Sequence, residues 1–104
     1  MKKTPQEPQD LLYESFLRLE TVEECRLFLQ DLCTVSELRA MEQRIEVAMH
    51  LRDGMIYQDI LKETGASSAT ISRVNRCIQY GSGGYEAVLP RLEEVWREEQ
   101  KRRS

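Results

Sequence analysis

The sequence predicts a small all-α protein built around a single core, and three observations support this fold class. From Leu11 onward, apolar residues recur at spacings of three and four, which is the period of an amphipathic helix. No stretch shows the sustained alternation of apolar and polar residues that marks a half-buried strand. With 104 residues, the chain is too short for a second core, which would need roughly another 50 residues or more.

Composition excludes several classes of protein. No apolar run is long enough to cross a bilayer, and residues 1–10 lack the apolar segment of a secretory signal, so we expect a soluble cytoplasmic protein without a membrane partner. His50 is the only histidine and no glycine-rich phosphate loop follows a strand, so we expect neither an enzyme nor a bound metal or cofactor. Three cysteines form neither a CxxC pair nor an even set, and we expect buried, unpaired side chains at Cys25, Cys33 and Cys77.

The chain is expected to form one domain with two short extensions. Residues 1–9 contain Pro5 and Pro8 among polar residues and predict a flexible arm. Residues 10–100 carry the helical pattern, and residues 101–104 form a basic tail that we expect to be solvated.

Three helices are predicted before residue 54. The first begins near Asp10 as its N-cap. The second spans Val22–Cys33 and opens with a capping box of Thr21 and Glu24, and its apolar arc is wide enough to suggest contact with a partner subunit. The third is predicted to be capped by Ser36 and to end at Asp53-Gly54.

Three further helices are predicted after residue 54. Two short ones, Tyr57–Glu63 and Ser67–Tyr80, are separated by a three-residue turn that forces a sharp change of direction. The last helix begins near Tyr85 after a glycine-rich break, and Pro90 falls in its first turn, where the missing N–H costs little.

The strongest motif is a helix-turn-helix over Tyr57–Arg76. Gly65 stands at the turn, where a positive φ is needed. The predicted inner face combines residues from both helices, namely Ile60, Leu61, Ala66, Ile71 and Val74. Leu61 departs from the motif, which usually has a small residue where the helices cross. The crossing is therefore expected to be wider or slightly rotated.

The outer face of the second helix of this motif suits contact with DNA. Although the net charge is −3, there is no acidic residue from Ser67 to Tyr80. Either Ser67 or Ser68 can cap this helix. Its outer face then presents small side chains and arginines at helical spacing, as major-groove docking requires: Ser68, Ala69, Ser72, Arg73 and Arg76. The alternative is an ordinary helix pair with two solvated arginines.

Linked segments of the sequence resemble the trp repressor family, specifically its YerC/YecD-like branch. These segments are Cys33–Ala40 (CTVSELRA), Arg44–Gly54 (RIEVAMHLRDG), Tyr57–Arg73 and Tyr80–Tyr85 (YGSGGY). The resemblance implies a six-helix fold whose first three helices interlock with those of a second subunit. It also implies that two recognition helices lie about 34 Å apart and enter successive major grooves of a palindromic operator.

The resemblance further implies which residues contact double-stranded DNA. Ser68, Ala69, Thr70 and Ser72 match base-facing and phosphate-facing positions of the recognition helix, and Tyr57 and Gln58 match contacts from the preceding helix. A phosphate-binding lysine of the family falls on Leu61, so Lys62 is an imperfect substitute. With the motif-derived residues, the expected DNA-binding set is Tyr57, Gln58, Lys62, Ser67, Ser68, Ala69, Thr70, Ser72, Arg73 and Arg76.

In the trp repressor, tryptophan lies between two arginines that match Arg44 and Arg73, and a further pocket position matches Thr34. The glycine beside the ligand is Val74 here, and a serine that helps hold its amino group is Cys77. Because overfilling a tight site typically costs ~1–3 kcal/mol, we do not expect tryptophan to bind. Either Val74 fills the pocket permanently, or another small molecule fits between the arginines, or both arginines merely pair with Glu37, Glu42 or Glu46.

We therefore expect a homodimeric transcriptional repressor that reads DNA through the helix-turn-helix. The competing prediction is a helical protein–protein interaction module, because the first 54 residues are acidic, with 11 acidic and 7 basic side chains. Salt separates these alternatives, since phosphate contacts weaken steeply as salt is added.

Overall fold

The computed structural model describes residues 8–104, and in that range every regular element is helical. The chain divides into two compact units between Leu38 and Arg39. The predicted arm falls almost entirely outside the described residues. The first helix begins at Pro8 rather than at Asp10, because proline is well suited to a first turn whose N–H groups have no partner within the helix.

Counting the last helical segment as one, residues 8–104 form six helices, which confirms the predicted fold class. That last segment is interrupted by a 3-10 turn around Pro90, so the predicted single helix consists of two α-helices. No helix of residues 8–104 is both long and apolar enough to span a bilayer. The elements are α1 (Pro8–Leu17), α2 (Val22–Leu32), α3 (Val35–Arg52), α4 (Tyr57–Thr64), α5 (Ser68–Tyr80), α6 (Gly84–Val88), the 3-10 turn (Leu89–Leu92) and α7 (Glu93–Arg103).

Side-chain caps begin α2 and α3. The amide of Glu24 donates to the Thr21 hydroxyl at 3.0 Å, which confirms the predicted cap of α2. The predicted Ser36 cap of α3 is wrong, because Thr34 and Glu37 form a reciprocal capping box there. The Glu37 amide donates to Thr34 Oγ1 at 3.1 Å, and the Thr34 amide donates to Glu37 Oε1 at 2.8 Å. Only Thr34 has a glutamate three residues later, so it satisfies two N–H groups where Ser36 would satisfy one.

The first unit leaves most of its apolar side chains uncovered. No side chain from residue 10 to residue 38 is buried. The Phe16 and Phe28 rings meet edge to face with centroids 6.0 Å apart, so α1 and α2 do touch. Nevertheless, six large apolar side chains remain at least half exposed: Leu11, Tyr13, Leu17, Val22, Leu27 and Val35. This amount of exposed apolar surface is typical of a segment that packs against another chain.

The three cysteines are half-buried, which corrects the expectation that they are buried. Cys25 and Cys33 belong to the first unit, in which no side chain of residues 10–38 is buried. Cys77 lies on α5 and lines a cavity of the second unit.

The second unit contains the core. Its apolar cluster joins the C-terminal half of α3 to the helix-turn-helix and to the last helical segment. The buried members are Val47, Ala48, Met49, Ile60, Ala66, Ile71, Val74, Leu89 and Trp96. Burial of a side chain of valine to leucine size contributes roughly 1.5–3 kcal/mol. This cluster therefore holds α4 and α5 against α3.

Polar contacts fasten α7 to the end of α3. Trp96 Nε1 donates to Asp53 Oδ2 at 2.8 Å, and Arg97 Nη2 donates to Asp53 Oδ1 at 2.6 Å. The Trp96 ring also packs edge to face on buried His50, with centroids 4.9 Å apart. Partial burial alone would raise the pKa of Asp53, but the hydrogen bonds from Arg97 and Trp96 and the charge of Arg97 outweigh it and hold that pKa below its ordinary value.

Replacing Asp53 with asparagine should destabilise the protein by roughly 1–2 kcal/mol at neutral pH, because asparagine has no charge and only one acceptor oxygen for Arg97 and Trp96. Because the pKa of Asp53 is lower in the folded than in the unfolded protein, its carboxylate stabilises the folded state above the ordinary value of 3.8. This stabilisation is lost as pH falls through the folded pKa. Urea unfolding from pH 7 downward should therefore show a difference in free energy of unfolding between the natural protein and Asp53→Asn that disappears at acidic pH. A difference of equal size at every pH would contradict this account, and Asp31→Asn, an exposed site in α2, serves as the control.

Candidate nucleic-acid interface

The turn of the helix-turn-helix is fixed by its own backbone. Gly65 caps α4 with φ 73°, and its amide donates to the Leu61 carbonyl at 2.9 Å. A non-glycine residue in this left-handed conformation would cost roughly 1–2 kcal/mol. The Thr64 hydroxyl donates to the Ile60 carbonyl at 2.7 Å and accepts from the Ala66 amide at 3.1 Å. The predicted role of Gly65 in the turn is confirmed.

The predicted inner face is also confirmed. Ile60, Ala66, Ile71 and Val74 are buried, each at most 2% exposed. Leu61 is partly buried and packs against the same cluster. The larger side chain at the crossing is thus accommodated within the core rather than pushed into solvent.

Ser67, rather than Ser68, caps α5. The Thr70 amide donates to Ser67 Oγ, and that hydroxyl donates to Thr70 Oγ1, both at 3.1 Å. The Ser67 hydroxyl therefore accepts from an N–H group of the first turn and donates to the Thr70 hydroxyl. Among the residues that the structure describes, the Ser68 and Ser72 side chains make no hydrogen bond, and both lie exposed with Ala69.

Most side chains of the predicted DNA-binding set lie on the surface. The exception is half-buried Thr70, and Tyr57 is 38% exposed. None of the ion pairs formed within residues 8–104 involves Lys62, Arg73 or Arg76. The exposed set is Tyr57, Gln58, Lys62, Ser67, Ser68, Ala69, Ser72, Arg73 and Arg76.

The basic residues at the C-terminus have a different environment. They end α7, and Arg103 pairs with Glu46 of α3 at 2.9 Å. The Glu46 hydrogen bond and charge raise the pKa of Arg103 above its ordinary value. Arg102 pairs more loosely with Glu99, at 3.4 Å. Two of the three terminal cations are therefore already neutralised by carboxylates, unlike the arginines of α5.

The positions that resemble an effector pocket are spread over both units. Thr34 belongs to the first unit, where its hydroxyl caps α3. In the second unit, Val74 is 2% exposed and belongs to the core. Arg44 and Arg73 are exposed, and within residues 8–104 neither forms the ion pair that was considered with Glu37, Glu42 or Glu46.

The second unit contains a cavity of about 400 Å³, and of the predicted pocket positions only Cys77 lines it. Tyr85 and Cys77 both line this cavity. Burial and the neighbouring Cys77 raise the pKa of the Tyr85 phenol, and the positive charges of Arg44 and Arg73 only partly offset this effect. The sequence signals for this cavity were Cys77, predicted as a pocket position, and the YGSGGY segment that ends in Tyr85. The lining consists of Ile45, Cys77, Gly81, Ser82, Gly84, Tyr85 and Val88.

The Ser67 cap can be tested against its neighbour. Ser67→Ala should lower the free energy of unfolding by about 1 kcal/mol, because the Thr70 amide loses its acceptor. Ser68→Ala, one residue inside the helix, should change it by less than roughly 0.5 kcal/mol. Equal effects of the two substitutions in thermal or urea unfolding would show that Ser67 is not the cap.

Comparison with known proteins agrees with this geometry. The family model described as Trp repressor protein matches residues 7–93. The chain is 51% identical over 86 residues to the protein YerC of Bacillus subtilis (strain 168), covering 83% of each chain. It is 45% identical to a protein from Staphylococcus aureus proposed to be a Trp repressor, with TM-score 0.78 and coverage of 82% of this chain and 85% of that one. A TrpR-like protein from Eubacterium eligens is also 45% identical, with TM-score 0.77 and coverage of 81% and 87%. The chain belongs to the Trp repressor family, in a YerC-like branch.

Proposed function

We propose that this protein is a sequence-specific DNA-binding transcriptional regulator, a homodimeric repressor that reads a palindromic operator through the major groove. One observation carries the proposal. The outer face of α5 has no acidic residue, begins with small exposed side chains and continues with two arginines that form no ion pair within residues 8–104. Membership of a transcription-regulator family supports it.

Each part of this face has a chemical role in the proposal. Ser68, Ala69 and Ser72 are short enough to let the helix end approach base edges, where hydroxyls can bond to bases and a methyl can contact thymine. Arg73 and Arg76 lie further along the helix and suit phosphates or guanine. From α4, the exposed side chains of Tyr57, Gln58 and Lys62 suit the DNA backbone.

The proposal requires a dimer, because two arginines per reading helix make few contacts. The uncovered apolar side chains of α1 and α2 support a second copy of this chain as the partner. A twofold dimer would place the reading helices one DNA turn apart, about 34 Å, so that the operator mirrors the symmetry of the protein.

We further propose that DNA binding needs no tryptophan. Val74 is already a buried member of the core, and its side chain occupies space that a glycine would leave open. In this proposal the protein carries no cofactor, and contacts within the chain hold its helix-turn-helix in place. A different small molecule near Arg44 and Arg73 is the alternative outcome of the test.

Selection from a randomised duplex pool tests the function directly. The purified protein should enrich a palindrome at low salt with or without tryptophan, and lose affinity as salt rises. Arg76→Ala should weaken binding to the enriched duplex by roughly 5- to 100-fold, while helix content and dimer mass stay unchanged. Arg91→Ala, an exposed arginine on the 3-10 turn, should have little effect. Absence of enrichment under all conditions, or binding that survives high salt, would favour the interaction module instead.

The steric role of Val74 can be tested by calorimetry. The natural protein should give no heat when titrated with tryptophan. Val74→Gly reopens the space and should restore measurable binding, and Val74→Ala does so partly without adding a helix-interior glycine. Circular dichroism must first show that each variant is folded, because truncating a buried valine is destabilising. Folded variants that give no heat would show that bulk at position 74 is not what excludes tryptophan.

A further inference from the structure

A hydrogen bond joins the turn of the helix-turn-helix to the scaffold helix α3. Gln43 Nε2 donates to the Thr64 carbonyl oxygen at 3.2 Å in a partly buried position, across 21 residues of sequence. Among residues 8–104, it is the only side-chain hydrogen bond that reaches α4, α5 or their turn from outside this motif. The other long-range polar contacts of the second unit join α3 and its C-terminal turn to α7.

The acceptor is a carbonyl that the helix itself leaves free. Thr64 is the last residue of α4, and the last four carbonyls of an α-helix have no helical N–H partner. The Thr64 hydroxyl already links the Ile60 carbonyl to the Ala66 amide. Gln43 therefore binds to Thr64, the residue whose hydroxyl also links the end of α4 to the residue after Gly65.

This bond supplies what the apolar core does not. The core between α3 and the motif is built of aliphatic side chains, and such packing constrains position more than direction. A hydrogen bond with fixed donor and acceptor selects one orientation of the turn relative to α3. In the sequence, Gln43 is adjacent to Arg44, one of the predicted pocket positions.

We propose that Gln43 is a positioning residue: through the Thr64 carbonyl, it holds the helix-turn-helix in its DNA-reading orientation without an effector. This proposal rests on the proposed function for its consequence in DNA binding, but the bond itself acts in the free protein. Loss of the donor should release the turn into several orientations, so that only part of the population is competent to bind.

Gln43→Met tests the proposal, because methionine nearly preserves the side-chain shape and has no donor. The matched control is Gln100→Met, the same change at another half-buried glutamine, whose buried Oε1 forms no hydrogen bond. Gln43→Met should increase amide hydrogen exchange at Ala66 about five- to tenfold in the free protein, since one net hydrogen bond corresponds to roughly that factor. Exchange in α7 should not change, and Gln100→Met should leave Ala66 unaffected.

The DNA measurement is then made with the selected palindrome and with a scrambled duplex. Gln43→Met should weaken binding to the palindrome about tenfold, because only part of the population keeps the reading orientation. Binding to the scrambled duplex should not change, because it depends on phosphate charge rather than on that orientation. Unchanged Ala66 exchange, or an unchanged preference for the palindrome, would overturn the positioning role. If the natural protein shows no preference for any duplex, the proposed function fails, and the exchange experiment alone then decides whether Gln43 restrains the turn.

Discussion

The buried contact between the C-terminal half of α3 and the helix-turn-helix is the constraint on which the rest of the second unit depends. Val47, Ile60 and Ile71 are fully buried there, although α4 and α5 are only 8 and 13 residues long. Isolated helices of that length are marginal in water, so α4 and α5 owe their stability to packing on α3 rather than to local propensity. The outer face of α5 can be polar because packing of its inner face on α3 already stabilises the helix.

The charged side chains of the scaffold helices and of α5 differ in whether they are paired. The protein is acidic overall, and several of its carboxylates bind the arginines of α3 and α7. Asp53, Glu93 and Glu46 together engage Arg52, Arg97 and Arg103. The arginines of α5 lie in a stretch without acids and form no such pair within residues 8–104. Net charge is therefore a poor guide to the chemistry of this surface, because the potential that a ligand meets is set by nearby unpaired groups.

Local sequence patterns predicted most of the fold. The period of apolar residues located the six helices, and the glycine at the turn and the inner face of the helix-turn-helix were predicted residue by residue. The errors arose where two local signals competed or where distant residues interact. Ser36 and Thr34 are both good caps, and only the glutamate three residues after Thr34 separates them. The 3-10 interruption near Pro90 combines a missing donor with packing of Leu89 in the core.

Less of the candidate site could be predicted, because part of it depends on contacts between residues on different helices. Exposure of the α5 residues follows from helical period, so the outer face could be read from sequence. Gln43 and Tyr85 could not, because their importance comes from groups on other helices: a carbonyl 21 residues away for Gln43, and Cys77, Arg44 and Arg73 around Tyr85. A glutamine in the middle of a polar stretch of α3 resembles any solvated side chain until the turn is placed beside it.

Val74 and Gln43 together explain, on the proposed function, how a member of this family can dispense with a ligand. A ligand shifts a conformational equilibrium only by its difference in affinity for the two states, so it has little effect on a protein already held in the competent one. Val74 provides apolar contact within the chain where a glycine would leave space, and Gln43 provides the directional contact. Both interactions are intramolecular and present at every ligand concentration, so occupancy of the operator would follow the concentration of the dimer.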